Sequence, residues 1–256
     1  MHSVARLFEI PVSALRMDDV LSAVDQWVAR GERRYICTMD VHALMESQAA
    51  SDVREAYNEA GIVTPDGVPL VWLLHRKGYA QAERVCGPDL MPALFRFSER
   101  RGYRHFLYGS SEQTLRALVS NLQAQYPEAS IVGTFSPPFR DLSEAESAEV
   151  ERRINEADPD IVWVGLGAPR QDRWMAAHRP NLRAPVLIGV GAAFDMLAGT
   201  VKRAPPFLRH TGCEWLYRLY QEPRRLWRRY LRANTQFLKL VFAEQSGLRK
   251  QPVHSP

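Results

Sequence analysis

Short apolar runs alternate with helix-like segments along most of this 256-residue chain, and that alternation limits the folds open to it. The runs are rich in β-branched and aromatic residues, as in strands that are covered on both faces. Strands of this kind, separated by helices, are typical of a mainly parallel sheet. The sequence predicts strands over residues 35–38, 62–64, 105–108, 130–135, 161–165 and 186–190.

Polar or glycine-rich clusters follow five of the predicted strands. In an open parallel sheet, ligands bind beyond the carboxyl ends of the strands, where such clusters converge. We therefore predict an α/β, Rossmann-like fold, with helices on both faces of the sheet and a binding site at its carboxyl edge. The clusters lie at residues 38–40, 65–67, 109–111, 165–171 and 191–195.

From about residue 200 the chain changes character. Residues 213–221 and 224–242 are predicted helices in which aromatic residues alternate with arginines. We predict a Rossmann-like domain over residues 1–200 and a helical, membrane-associating C-terminal appendage over residues 201–256.

The appendage carries the excess positive charge of the chain. From Glu214 to Arg232 there are six arginines and two glutamates, a balance of +4 that equals the formal net charge of the whole chain. Such a segment favours an anionic partner, which phospholipid, pyrophosphate and nucleic acid could each provide.

Other features restrict the class of protein. No secretory signal is expected at the N-terminus, since Arg6 and Glu9 interrupt its apolar residues. The most apolar stretch, residues 186–194, is too short to span a bilayer. The three cysteines show neither metal-ligand spacing nor a disulfide framework, which is typical of a reducing cytosol.

Two motifs at the predicted sheet edge each allow a structural and a functional interpretation. Pro65-Asp66-Gly67 is a favoured turn sequence, but a shielded carboxylate at a strand end can also act as a general base. The glycines of residues 165–171 suit a tight turn, or the close approach of a phosphate to the backbone. Gly109 follows the third strand in the same manner.

The sequence offers no obvious metal site. Asp158 and Asp160 form a D-x-D pattern, but they precede a strand and so belong to the opposite edge of the sheet. The seven histidines show no ligand spacing. We therefore expect no metal and no other cofactor.

Taken together, the clusters resemble those of the WecG/TagA/CpsF family, glycosyltransferase family 26. The resemblance covers about residues 35–235, and its motifs occur in the family order. Each motif is weak alone, but seven in order are specific. They are TPDGVPLVW, RVCGPDLM, FLYGSSEQT, VWVGLGAPRQDRW, GVGAAFDMLAG, VKRAPPFL and CEWLYRLYQEPRRLWRR.

The resemblance implies an inverting, metal-independent transferase that adds a hexose-type sugar to an undecaprenyl-pyrophosphate-linked acceptor. N-acetylmannosamine from its UDP form is the donor sugar in teichoic-acid linkage synthesis, and N-acetylmannosaminuronic acid or glucose serves in other branches of the family. We expect a peripheral enzyme at the inner, cytoplasmic face of a bacterial membrane, with an anionic membrane surface as a partner. The resemblance leaves a homo-oligomer open.

The resemblance also assigns residues. Asp66 matches the base, while Thr38, Arg84 and Gln171 match residues of the donor and acceptor site. Asp40 stands where the family usually has asparagine, and Pro169-Arg170-Gln171-Asp172 replaces the family's Pro-Lys-Gln-Glu. Gly109 and Gly167 are expected to line the same site. Three arginines of the appendage match those that grip the pyrophosphate: Arg218, Arg225 and Arg228.

These residues predict direct displacement. Asp66 would take the proton of the acceptor hydroxyl as it attacks the anomeric carbon, and fixed donors would stabilise the departing UDP in place of a metal. The alternatives are an enzyme of the same fold with a soluble acceptor, a nucleotide-sugar sensor and a nucleic-acid binder. The basic aromatic appendage argues against a soluble acceptor, and we expect no nucleic-acid partner.

Overall fold

A computed structural model describes residues 3–246, apart from the side chains of His210, Arg225 and Gln245. Its centre is a six-stranded, all-parallel sheet in the order β4-β3-β8-β7-β5-β6. The predicted strands are thus confirmed, with slightly different ends. The strands are β3 (Arg34–Met39), β4 (Ile62–Pro65), β5 (Arg104–Gly109), β6 (Ser130–Phe135), β7 (Ile161–Gly165) and β8 (Val186–Gly189).

Helices cover both faces of the sheet, as predicted. Alternate strand residues enter two separate clusters of buried side chains: Val162 points to one face and Trp163 to the other. The described helices are α1 (Met17–Arg30), α2 (Val41–Ala49), α3 (Ser51–Asn58), α4 (Val68–Arg76), α5 (Gly87–Glu99), α6 (Glu112–Gln125), α7 (Glu144–Ala157), α8 (Arg170–His178), α9 (Ala193–Leu197), α10 (Pro206–His210), α11 (Glu214–Gln221) and α12 (Pro223–Gln245).

An N-terminal hairpin of β1 (Ser3–Leu7) and β2 (Ile10–Ala14) was not predicted. Its two-residue turn places Phe8 and Glu9 at φ angles of 49° and 75°. Two-residue hairpin turns usually contain glycine or asparagine. This turn contains neither, so the usual sequence signal for the hairpin is absent. The hairpin adds buried residues such as Ile10 and Val12 to the core on one face of the sheet.

The appendage packs on the same face as the hairpin. Helix α12 lies against α2, and the rings of Phe237 and Phe8 meet edge to face with centroids 6.4 Å apart. Leu226, Ala233 and Phe237 are buried. Lys77, the C-cap of α4, and Glu244 form an ion pair at 2.7 Å. Among residues 3–246, none of the helices is both long and apolar enough to cross a membrane.

Candidate active site

A cavity of about 750 Å³ opens at the carboxyl edge of the sheet. The turns after β3, β4, β5, β7 and β8 form one wall of it, which we call the sheet-edge wall. Residues of α10 to α12 and their connections form the opposite wall, the appendage wall. The predicted convergence of the polar clusters is therefore observed, and the volume suits a ligand of nucleotide size.

Asp66 lies in the turn between β4 and α4. Its N–H donates to the main-chain oxygen of Met39 at 2.9 Å, which fixes the turn against the end of β3. The side chain lines the cavity and is 26% exposed. Burial raises the pKa of Asp66 to about 6, while Arg84 opposes that rise. Such a carboxylate is ionised at neutral pH and still basic enough to accept a proton.

Arg84, in the loop between α4 and α5, holds Asp66 in two ways. Its Nε donates to the main-chain oxygen of Asp66, and its Nη2 lies 3.3 Å from Asp66 Oδ1. The same Nη2 donates to Oε2 of Glu214, the first residue of α11, at 2.6 Å. Arg84 therefore joins the two walls of the cavity.

Thr38 and Gln171 are buried at the back of the sheet-edge wall. Thr38 Oγ1 donates to the main-chain oxygen of Gly189 at 2.9 Å. Gln171 Oε1 accepts from the N–H groups of Gly167 and Gly191, at 3.1 and 2.9 Å. Both side chains line the cavity, but their observed hydrogen bonds fasten strand ends and loops. Thr38 and Gln171 therefore hold this wall in position, in addition to any contact that they make with a ligand.

The two predicted glycines differ in their surroundings. Gly167 (φ +77°) lines the cavity, and a Cβ there would point into open space. At Gly109 (φ +125°), a Cβ would lie 2.7 Å from the carbonyl carbon and oxygen of Gly165. Gly109 does not line the cavity. It lets β5 and β7 approach closely, and Ser110 and Ser111 after it reach the cavity instead.

Asp40 is the N-cap of α2. Its Oδ1 accepts from the N–H of Ala43 at 2.8 Å, and its Oδ2 lies 3.6 Å from Nη2 of Arg229. Asparagine and aspartate cap helices about equally well, so a cap explains why either residue suits this position. Only aspartate, however, also gives Arg229 of α12 an ionic partner.

The appendage arginines do not form one row. Helices α11 and α12 are separate, because the backbone breaks at Glu222. Arg218 lines the cavity, whereas Arg228 lies outside the lining with its guanidinium 5.2 Å from the ring centroid of Trp227. Arg218 therefore lies on a different helix from Arg225 and Arg228. The Arg225 side chain lies outside the described ones.

Three charged residues in the appendage part of the lining were not predicted from the sequence: Arg209, Glu214 and Arg229. Arg229 falls three residues after Leu226 and four before Ala233, so it lies beside the buried stripe of α12. This spacing is the sequence signal from which Arg229 could have been recognised as a candidate lining residue. The Nε atoms of Arg218 and Arg229 are buried without a hydrogen-bond partner among the described residues. The guanidinium groups of these lining arginines suit an anionic ligand.

Asp158 and Asp160 lie at the amino edge of the sheet, as predicted. Asp160 Oδ2 accepts from the N–H of Arg104 at 2.8 Å, and Asp158 pairs with the Arg104 guanidinium at 3.0 Å. Over the part of the chain that the structure describes, we find no group of three or more His, Cys, Asp and Glu residues arranged to hold a metal. Metal-independent catalysis stays a prediction.

A parallel sheet that opens at its carboxyl edge into a cavity lined with arginines and carboxylates is typical of enzymes that bind nucleotides. The chain belongs to the glycosyl transferase WecG/TagA/CpsF family, whose model matches residues 5–251. It is therefore a glycosyltransferase. The resemblance noted in the sequence motifs is confirmed.

Curated relatives support this membership. A protein of Bacillus subtilis (strain 168) is 31% identical over 180 residues, which are 70% of this chain and 68% of that protein. A protein of Bacillus spizizenii is 29% identical, over 77% of this chain and 74% of its own length. A third, of Staphylococcus aureus (strain MW2), is 31% identical over 68% and 66%. All three are named N-acetylglucosaminyldiphosphoundecaprenol N-acetyl-β-D-mannosaminyltransferase.

Proposed function

We propose that this enzyme transfers N-acetylmannosamine, or a related hexose-type sugar, from its UDP form to a sugar on undecaprenyl pyrophosphate, with inversion and without a metal ion. The observation that carries the proposal is Asp66, a shielded carboxylate in a cavity wall with its pKa raised to about 6. The names of the relatives support the donor sugar and the lipid-linked acceptor.

In the proposed reaction, Asp66 accepts the proton of the acceptor hydroxyl as its oxygen attacks the anomeric carbon. The bond between that carbon and the diphosphate of UDP breaks, and UDP leaves with the bonding electron pair. Inversion follows because attack and departure occur on opposite faces of the sugar. A base in this role contributes about 10²–10⁴-fold to the rate.

The appendage wall is proposed to hold diphosphate charge. Arg209, Arg218 and Arg229 bring three guanidinium groups to the cavity lining, and the Nε atoms of Arg218 and Arg229 have no hydrogen-bond partner among the described residues. Guanidinium groups bind phosphate through paired N–H donors, which lets them stabilise a leaving diphosphate without a metal. Thr38, Gln171 and Gly167 shape the donor side from the opposite wall.

We further propose that the enzyme lies peripherally on the cytoplasmic face of the membrane, with residues 201–256 as its docking appendage. Trp227, Leu231, Leu238 and Phe242 are exposed at spacings that place them on one side of α12. Arg224, Arg228, Arg232 and Lys239 border that side. A helix with an apolar side next to a basic one suits the interface of an anionic membrane.

The test is a transfer assay. Purified protein is incubated with synthetic polyprenyl-pyrophosphate-N-acetylglucosamine and, separately, with UDP-N-acetylmannosamine, UDP-N-acetylglucosamine or UDP-glucose, and product masses are read. We expect the acceptor mass to rise by one N-acetylhexosamine with the first donor. Equal transfer to free N-acetylglucosamine would contradict the lipid-linked acceptor, and hydrolysis without transfer would contradict the proposed reaction.

A further inference from the structure

One carboxylate of the cavity has no part in the reaction described above. Glu214 lines the cavity beside Asp66, and its side chain is only 13% exposed. Its Oε2 accepts from Arg84 at 2.6 Å, and its Oε1 lies 3.9 Å from Nε of Arg203. A half-buried carboxylate of the appendage thus lies between two arginines in the cavity lining.

Glu214 and Asp66 compete for the same nitrogen atom. Nη2 of Arg84 lies 2.6 Å from Glu214 Oε2 but 3.3 Å from Asp66 Oδ1. Because charge-assisted hydrogen bonds weaken with length, Glu214 takes the larger share of this donor. The contact of Arg84 Nε with the main-chain oxygen of Asp66 keeps the guanidinium in place between them.

The charged and titratable groups around Asp66 come from four places in the fold. Arg84 faces it from the loop before α5, Cys86 from the start of α5, Asp40 from the N-cap of α2, and Glu214 from α11. Burial raises the pKa of Asp66 most, Arg84 lowers it, and Asp40 and Glu214 raise it. Glu214 thus acts on Asp66 both by its own charge and by holding Arg84.

We infer that Glu214 is a positioning residue for catalysis, which holds the Arg84 guanidinium back from a full ion pair with Asp66 and keeps that carboxylate free to accept a proton. This inference rests on the proposed function, since it affects turnover only where Asp66 is the base. Its consequence is that the appendage adjusts the strength of the base on the opposite wall.

Glu214→Gln is the informative variant. The amide keeps the shape and an acceptor oxygen but removes the charge, so Arg84 turns to Asp66 and the pKa of Asp66 falls by about one unit. We expect the acid limb of the kcat–pH profile to move to lower pH by the same amount. The plateau kcat should fall a few-fold because the base is weaker, and KM for the donor should change little.

Two further variants serve as controls. Glu214→Asp keeps the charge, so the pKa of Asp66 should stay close to its wild-type value. Glu244→Gln removes another ion pair between the appendage and the rest of the molecule, the one between Glu244 and Lys77. Neither residue lines the cavity, so the acid limb of the kcat–pH profile should not move. The pKa of Asp66 itself is read without substrate from carboxyl ¹³C NMR, with Asp66→Asn to assign the signal.

The two readouts separate the two proposals. If Asp66→Asn retains turnover, the base assignment fails, and the NMR titration still tests Glu214. If Glu214→Gln folds and the pKa of Asp66 does not fall, the inference about Glu214 is overturned. The same holds if Glu244→Gln moves the acid limb as far as Glu214→Gln does.

Discussion

The two walls of the cavity are held in different ways. The sheet-edge wall is fixed by hydrogen bonds of two buried side chains: Thr38 donates to the main-chain oxygen of Gly189, and Gln171 accepts from the N–H groups of Gly167 and Gly191. The appendage wall is held by three buried apolar side chains of α12 and by ion pairs, among them Arg84–Glu214. The first wall is part of the core, whereas the second is a set of helices fastened to it.

This difference separates stability from ligand binding. Changes in the sheet-edge wall remove hydrogen bonds of the folded core, so they should affect stability and activity together. Changes in the appendage wall remove charges that the fold itself leaves partly unsatisfied, such as Nε of Arg218. They should reduce activity and leave stability nearly unchanged.

The largest effect is expected at the base. Asp66→Asn should lower turnover by about 10²–10⁴-fold, because the amide cannot accept the proton. Binding of UDP, measured by calorimetry, should remain. The matched control is Asp158→Asn, whose carboxylate is 73% exposed at the opposite edge of the sheet and should not affect turnover. Near-normal turnover of Asp66→Asn would show that Asp66, and with it the sheet-edge wall, does not supply the base.

Next in size is a comparison within the appendage. Arg218→Ala should lower transfer about 10–100-fold, the size expected for charged hydrogen bonds worth about 1.5–3 kcal/mol. Its melting temperature should change little. Arg228→Ala, outside the cavity lining, should leave transfer to a short-chain, detergent-soluble acceptor unchanged and weaken binding to anionic vesicles. Equal losses of transfer in Arg218→Ala and Arg228→Ala would show that a place in the cavity lining does not decide which arginine contributes to transfer.

A smaller loss of activity is expected at Gln171. Gln171→Ala leaves the N–H groups of Gly167 and Gly191 without their partner, so KM for the donor should rise several-fold. The free energy of unfolding should fall by about 1–3 kcal/mol. Gln48→Ala is the control, since Gln48 Nε2 donates to the main-chain oxygen of Phe8 at 2.8 Å and neither residue lines the cavity. A donor KM that stays at the wild-type value in Gln171→Ala would show that the glycine loops do not bind the donor.

The smallest effect on turnover is expected behind the sheet-edge wall, at Asp172. This residue is fully buried, accepts from the hydroxyl of Tyr57 at 2.8 Å, and has its pKa raised by burial to about 6. A carboxyl whose pKa is higher in the folded state stabilises the fold at low pH. That contribution is lost as the pH rises through about 6.

Asp172→Asn cannot titrate, so its free energy of unfolding should depend less on pH. The difference from wild type between pH 4 and pH 7.5 should be up to about 3 kcal/mol, from a shift of about two pH units. Urea denaturation across this range provides the measurement, with Asp158→Asn as the exposed control. Parallel curves for wild type and Asp172→Asn would contradict the assigned pKa.

The sheet and the sheet-edge wall could be predicted from sequence because their signals are local. Each strand is a continuous apolar run, and each polar cluster directly follows one, so the turn of Asp66 could be placed at the carboxyl edge of the sheet. Local order does not reveal what a side chain contacts, however. Gln171 was expected to touch the donor, and its oxygen is bound to two loop amides.

The appendage wall was less predictable because arginine has no fixed preference for the inside or outside of a helix. Four arginines surround Leu226 and Trp227 in the sequence, and only packing decides which of them turns inward. Arg229 reaches the cavity because α12 buries Leu226 and Ala233 on the same side, whereas Arg228 turns to Trp227. Glu214 was missed because its role depends on Arg84, 130 residues earlier in the chain.

The contact between Phe8 and Phe237 has a consequence for the order in which the enzyme becomes active during synthesis. The surface that receives α12 is made by the hairpin and α2, which leave the ribosome early, but α12 is translated only after the last strand of the sheet. A nascent chain that ends at β8 contains every strand of the sheet but lacks Glu214, Arg218 and Arg229. If the appendage arginines bind diphosphate as proposed, transfer can begin only after the appendage has been released and has docked.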